Sequence, residues 1–379
     1  LLHWWLFMRV EKLNHPILNR VTYRAYLDGL PVKHVNKFLS HLDKRDFAPN
    51  TVKSYAHDLS QYFRYLNKKS LDWKHSDIEV ITSFIAFYKH SKADSLSVLP
   101  TELGQARSIS TINRALASIS AFYRYKLNIG ELGQSIALEA ISTNVSKNPK
   151  VKEFLSFASA SRPQSVSREL KPFRRAKPVK RKVKTIPEDV QLKLIEFCAN
   201  SRDRLLICLL LETGMRVGQA LQLRHSDIES WDSKLTIFYR LDNSNEVYSK
   251  TRTSYEVVIT DKWANMYTNY LLNEIGDIES DYVFTKLYRK DGGNRGEPLS
   301  YPSVKFLFKR FSNSIGCNIT PHMLRHTHAT ELLRQKVPIE IVSKRLGHSS
   351  IETTKNIYEH LTAEDMKNTI FGSKEGIEK

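Results

Sequence analysis

Four side chains in the segment 321–360 have types and spacing suited to phosphodiester chemistry: His322, Arg325, His348 and Tyr358. Arginine offers a rigid fork of donors to phosphate oxygens. Imidazoles beside it can carry a proton to or from a reacting oxygen. Tyr358 follows the Gly347-His348 pair and brings a hydroxyl that can attack phosphorus. On a helix starting near Pro321, His322 and Arg325 share one face. His326 lies one turn further on, and histidines four apart are also a zinc spacing. No Glu stands between them, and Arg325 sits beside the pair, so an anion suits the cluster better than a cation. His326 and His328 are read as structural. On residue type alone Tyr358 is either a nucleophile or a packing residue, since the chain holds 17 tyrosines.

A fifth candidate lies upstream. The run LLICLLLE inside 202–213 is apolar around its circumference and predicts a buried helix. Gly214 ends it, and Arg216 follows at the junction. A charge placed there needs a partner or a ligand. Gly347 is expected to end the helix 338–346 in a left-handed turn that aims His348 outward.

The elements that must hold these groups read as mainly α with a small antiparallel sheet. Residues 20–30 suggest a short strand or hairpin ending at Asp28-Gly29. Four helical patterns follow, marked by Phe38 and Leu42, by Leu59 and Phe63, by Ile81 and Phe84, and by Ile119 and Phe122. Their polar positions (Lys53, Ser54, His57, Ser108, Thr111, Asn113, Arg114) suit phosphates and base edges or an ordinary solvated face. The second half gives helices at 202–213, 216–224, 261–275, 301–314, 321–335, 338–346 and 351–361. Strand candidates lie at 235–240, 245–249 and 255–259. The divisions are a 1–30 N-terminal extension, a 31–135 helical domain, a 136–184 basic linker and a 185–379 α+β domain with a C-terminal tail. Met8 is a candidate start, which leaves residues 1–7 without a role.

Composition points to a polyanionic partner: 58 Lys and Arg stand against 40 Asp and Glu, a net charge of +18. Three cysteines without metal-ligand spacing fit a reducing cytoplasm. The apolar start LLHWWLFM is too short to span a bilayer.

TGMRVGQALQLRHSDI (213–228), HMLRHTHAT (322–330) and LGHSSIETTKNIYEH (346–360) resemble the three signature boxes of the tyrosine recombinases, the phage integrase family. NTVKSYAHDLSQYFRYL and STINRALASISAFYRY resemble its all-helical core-binding domain. The resemblance implies two arginines on the scissile phosphate (Arg216, Arg325), two basic positions (His322, His348) and the nucleophile Tyr358. In YSKTRTSYEVVI it implies Lys250 as the acid for the leaving oxygen, with Arg252 and Lys234 as less favoured alternatives. It further implies a 3′-phosphotyrosyl intermediate without metal or cofactor. The expected partners are double-stranded DNA at specific sites, a tetramer in synapsis and accessory DNA-bending proteins, with no membrane. The expected place is the cytoplasm, at the nucleoid. Integration, excision and transposition of a mobile element all fit. A type IB-like topoisomerase and a catalytically inactive DNA-binding protein are the alternatives. Two departures stand out: Gln219 where the family commonly has an acid, and a His348–Tyr358 spacing one residue longer than the common one.

Overall fold

The computed structural model describes residues 8–18, 20–90, 107–132, 184–240, 243–248, 253–288, 294–348, 350–352, 354 and 355. The chain divides into two units, Leu1–Lys180 and Arg181–Lys379.

The first unit opens with a sheet. Strands β1 (Met8–His15) and β2 (Arg20–Leu27) pair antiparallel from Met8↔Leu27 to His15↔Arg20, and β3 (Leu30–Pro31) adds two residues. The hairpin expected to turn at Asp28-Gly29 is present as β2–β3, and β1 joins it, so residues 8–31 form part of the folded unit where sequence suggested an extension. The reason is polar as much as apolar. Asp43 is buried on the first helix, α1 (Lys33–Lys44). Thr22 Oγ1 donates to its carboxylate at 2.7 Å, Arg24 pairs with it at 2.8 Å, and Arg20 donates to its carbonyl at 2.6 Å. The Asn36 amide bonds both N–H and C=O of Ala25, at 2.8 and 2.9 Å, and closes that stretch of strand.

Helices α2 (Pro49–Lys68), α3 (Ile78–His90) and α4 (Ile109–Asn128) follow. Phe38, Leu42, Leu59, Phe63, Ile81, Phe84, Ile119 and Phe122 meet in one core, as their helical spacing predicts. Several polar candidates are engaged locally. Ser54 bonds the Asn50 carbonyl, Ser108 caps α4, and Arg114 forks onto buried Asp58 at 2.9 and 3.0 Å.

Lys126 of α4 is fully buried, with its ammonium 5.5–5.7 Å from the ring centroids of Trp73, Phe122 and Tyr125. Its counter-ion is Glu131, at 2.5 Å, which also holds Lys37 at 2.6 Å. Lys126 and then Lys37 keep the Glu131 carboxyl down at about 2. A depressed carboxylate pKa stabilises above the ordinary glutamate range, and that stability is lost as pH falls towards 2. Glu131→Gln strands a buried ammonium, which costs about 3 kcal/mol. Urea unfolding of the variant is expected to show that loss at pH 7, shrinking in acid.

The second unit is built on α5 (Glu188–Glu196) and α6 (Ser201–Thr213). Leu205, Leu206, Ile207, Leu209 and Leu210 of α6 are all buried in its core. A short α7 (Val217–Ala220) replaces the longer helix expected at 216–224. The sheet is antiparallel, in the order β4 (Ile228–Glu229), β5 (Lys234–Ile237), β6 (Tyr255–Val258). Its third strand is 228–229, not the expected 245–249. Among the described residues, 243–248 form no strand, because side chains take its main-chain groups. Gln222 and Asn243 donate to the Val247 carbonyl at 2.8 and 3.1 Å. Helices α8 (Asp261–Tyr270, running into a wider turn over Leu271–Ile275), α9 (Tyr301–Ile315), α10 (Pro321–Arg334) and α11 (Ile339–Arg345) complete the unit. Ile351, Glu352, Thr354 and Lys355 are helical. Among the described residues no helix is long and apolar enough to cross a membrane.

Candidate active site

Two left-handed glycines shape the site. Gly214 (φ +62°) ends α6, and Gly347 (φ +63°) follows α11, where sequence placed both turns. Neither tolerates a side chain. A Cβ on Gly214 would fall 2.6 Å from the His328 ring, and one on Gly347 would fall 2.7 Å from the Tyr255 hydroxyl oxygen. The turns bring the C-termini of α6 and α11 together.

Arg325 joins those ends. It is buried on α10, donates through Nη1 to the Gly214 carbonyl at 2.8 Å, and through Nη2 to the Leu346 carbonyl at 2.9 Å. Both acceptors lie at helix C-termini, where free carbonyls favour a cation. Arg216 is the N-cap of α7. Its N–H donates to Gln219 Oε1 at 2.9 Å, the backward half of a capping box. The departure at Gln219 therefore keeps an acceptor for this turn while removing a charge. Burial lowers the Arg216 pKa, and Tyr255 opposes this.

His348 is half-buried, and its N–H is fixed to the Ser343 carbonyl at 3.0 Å. Its Nδ1 lies 2.7 Å from Thr354 Oγ1, a partner that sequence did not reveal. Burial first, then the charges of Arg325, Arg216, His326 and His322, hold its pKa down at about 4. The same influences place four of the candidates in one electrostatic neighbourhood: Arg216, His322, Arg325 and His348. His322 packs edge-on against His326, ring centroids 4.4 Å apart. His326 was expected to be structural; it stands beside His322 and within the field at His348. Burial, His322 and Arg325 hold it at about 4.

His328 is structural, as expected. It is buried, accepts from Arg345 Nε at 3.2 Å, and is held at about 4 by burial and then by Arg345. Arg345 also donates to the Glu212 and Val258 carbonyls, at 3.0 and 3.2 Å.

These three histidines set an acid limit. A lowered histidine pKa means that the unfolded chain takes the proton first. The stability from keeping them neutral is full above about 6.5, the unfolded value, and is lost as pH falls to about 4. His328, the most deeply buried, contributes on the order of 3 kcal/mol of this. Calorimetry from pH 7 to 4.5 is expected to show a steadily falling Tm, with a flatter profile in His328→Phe.

Lys250, its alternative Arg252, and Tyr358 lie outside the described residues. Lys234 is exposed on β5. Sequence reasoning missed Tyr255, which touches Gln219 and Gly347 at once.

Comparison with known proteins fits this geometry. The Phage integrase family profile matches residues 184–365, and that of the phage integrase N-terminal SAM-like domain matches 35–130. Transposase A from transposon Tn554 of Staphylococcus aureus is 31% identical over 338 residues, 89% of this chain and 90% of the relative. The chain belongs to the phage integrase family and is a tyrosine recombinase. The tyrosine recombinase XerA of Pyrococcus furiosus is 25% identical over 336 residues, 89% of this chain and 92% of its own. Among solved structures, the XerH site-specific recombinase bound to a palindromic difH substrate has a TM-score of 0.57 at 18% identity, covering 88% of this chain and 85% of that one. The Tn1549 transposon integrase in complex with transposon right-end DNA has a TM-score of 0.56 at 15% identity, covering 88% and 98%. These likenesses establish the shared fold.

Proposed function

We propose that this tyrosine recombinase cuts and rejoins double-stranded DNA at specific sites to move a genetic element, with Tyr358 as the nucleophile. The observation that supports the reading is the seating of Arg325 on the Gly214 and Leu346 carbonyls, with Arg216 on the turn after Gly214 and His348 next to Gly347. A scissile phosphate seated there would meet two guanidinium groups. Losing one such donor typically costs about 10²–10³ in rate.

In the step, the Tyr358 oxygen bonds to phosphorus and its proton passes to a base, His322 or a neighbour. The bond from phosphorus to the 5′ oxygen breaks, and Lys250 supplies that oxygen's proton. The diester survives as a 3′-phosphotyrosyl bond, so attack by another strand's 5′ hydroxyl reseals the DNA without ATP. His348 is neutral at physiological pH. With Nδ1 accepting from the Thr354 hydroxyl, its Nε2–H is free to donate to a non-bridging oxygen. The helical unit and the basic segment 136–184 supply further phosphate contacts, whose Lys and Arg neutralise phosphates and release condensed counterions. The first unit, with its sheet joined to the helices, serves DNA grip, and 185–379 carries the chemistry. Strand exchange uses four protomers on two duplexes, with accessory DNA-bending proteins, at the nucleoid of the cytoplasm.

The test is a nicked duplex carrying the sequence that flanks the encoding element. A denaturant-stable adduct is expected, and mass spectrometry should place the nucleotide on the peptide containing Tyr358. An adduct on another residue overturns the assignment. Supercoil relaxation without recombinant product would point to a topoisomerase instead.

A further inference from the structure

Tyr255 starts β6 and pairs with Ile237 in the ladder. Its side chain leaves the sheet and enters the site. The hydroxyl lies 3.3 Å from Gln219 Oε1, the atom that also accepts the Arg216 N–H. Its ring lies against Gly347, close enough to exclude any side chain there. One residue therefore touches both the turn that carries Arg216 and the turn that carries His348. Burial raises its pKa, with Arg325 first among the opposing influences, so the hydroxyl keeps its proton and donates.

Gln219 adds a second observation. Its side chain is buried, and its Nε2 has no hydrogen-bond partner among the described residues. Two donors, the Arg216 N–H and the Tyr255 hydroxyl, converge on Oε1 and fix the orientation of the amide. A carboxylate at this position would gain the charge of Arg216 as well. A neutral amide has only hydrogen bonds, which makes the tyrosine hydroxyl matter more.

We infer that Tyr255 is a positioning residue that ties the Arg216 turn to the Gly347–His348 turn, so that both close on the scissile phosphate together. The inference builds on the recombinase reading above and adds a residue outside its reacting set.

The test compares the full-length protein with Tyr255→Phe, Gln219→Ala and the double variant. Adduct formation is followed in single turnover at saturating DNA. Tyr255→Phe keeps the packing on Gly347 and loses only the hydroxyl. It is expected to slow cleavage about tenfold, the scale of one hydrogen bond, with DNA affinity unchanged and Tm lowered by only a few degrees. The double variant is expected to be no slower than Gln219→Ala, because both changes break one link. A wild-type rate in Tyr255→Phe, or a loss matched by affinity or by a larger fall in Tm, overturns the inference, as does full additivity. Amide hydrogen exchange reads the same link without DNA. Faster exchange over 214–221 and 343–348 is expected in Tyr255→Phe, with the rest of the chain unchanged. If the wild type formed no adduct, the functional reading would fail, and unchanged exchange would separately overturn the link.

Discussion

Tyr358→Phe is expected to abolish the covalent adduct while leaving DNA affinity at the wild-type level. The change removes one oxygen and keeps the aromatic ring. No neighbouring hydroxyl can replace a nucleophile that must sit in line with the leaving oxygen. The loss should exceed the roughly 10²–10³ fold that deleting one phosphate donor costs. DNA affinity is expected to follow the net charge of +18, which this change does not alter. Gel-shift titration and adduct assays on the same nicked duplex separate the two. Residual adduct near the wild-type level would sink the assignment of Tyr358.

Arg325→Lys is expected to damage both fold and chemistry. The guanidinium reaches the Gly214 and Leu346 carbonyls with separate nitrogens, at 2.8 and 2.9 Å. A lysine ammonium is a point charge and cannot span two fixed acceptors while also facing a phosphate. At least one buried carbonyl loses its partner. Hydrogen bonds to charged groups contribute about 1.5–3 kcal/mol each, so a loss of about 2–4 kcal/mol is expected in denaturant unfolding. Cleavage at saturating DNA should fall by about 10²–10³. Arg216→Lys makes the useful contrast, since Arg216 anchors its turn through its main chain. It should lose comparable activity with less stability. Equal stability losses in the two variants would contradict this division.

Much of this was legible in the sequence because it is local. Helical spacing marked Phe38, Leu59, Phe84 and Phe122, and all four meet in one core. Gly214 and Gly347 announced their turns, since a left-handed residue after an apolar helix is a short-range signal. The boxes around Arg216, Arg325 and His348 could be read for the same reason. What escaped depends on contacts between distant segments. In β1, Lys12 and Asn14 interrupt the alternation set by Met8 and Val10, and pairing to β2 decides its structure. Asp43 on α1 carries no local signal of burial, because Thr22 and Arg24 close on it from another segment. Tyr255 read as one more strand aromatic, because its hydroxyl meets Gln219 only after the sheet has formed. Residues 245–249 looked like a strand by composition, yet Gln222 and Asn243 had already claimed the Val247 carbonyl.

Arg325 binds its two neighbours through peptide oxygens. A peptide oxygen is present whatever residue carries it. Leu346 can change to another apolar residue without deleting the acceptor, and Gly214 is constrained by its left-handed turn and by the His328 ring packed against it. A lineage under loose selection can therefore rewrite the surroundings of this arginine widely and still inherit its seating. A protein engineer has a narrower freedom: libraries can vary the apolar residue at Leu346 first, provided the two glycines, Arg216, His322, Arg325, His348 and the structural His328 are kept.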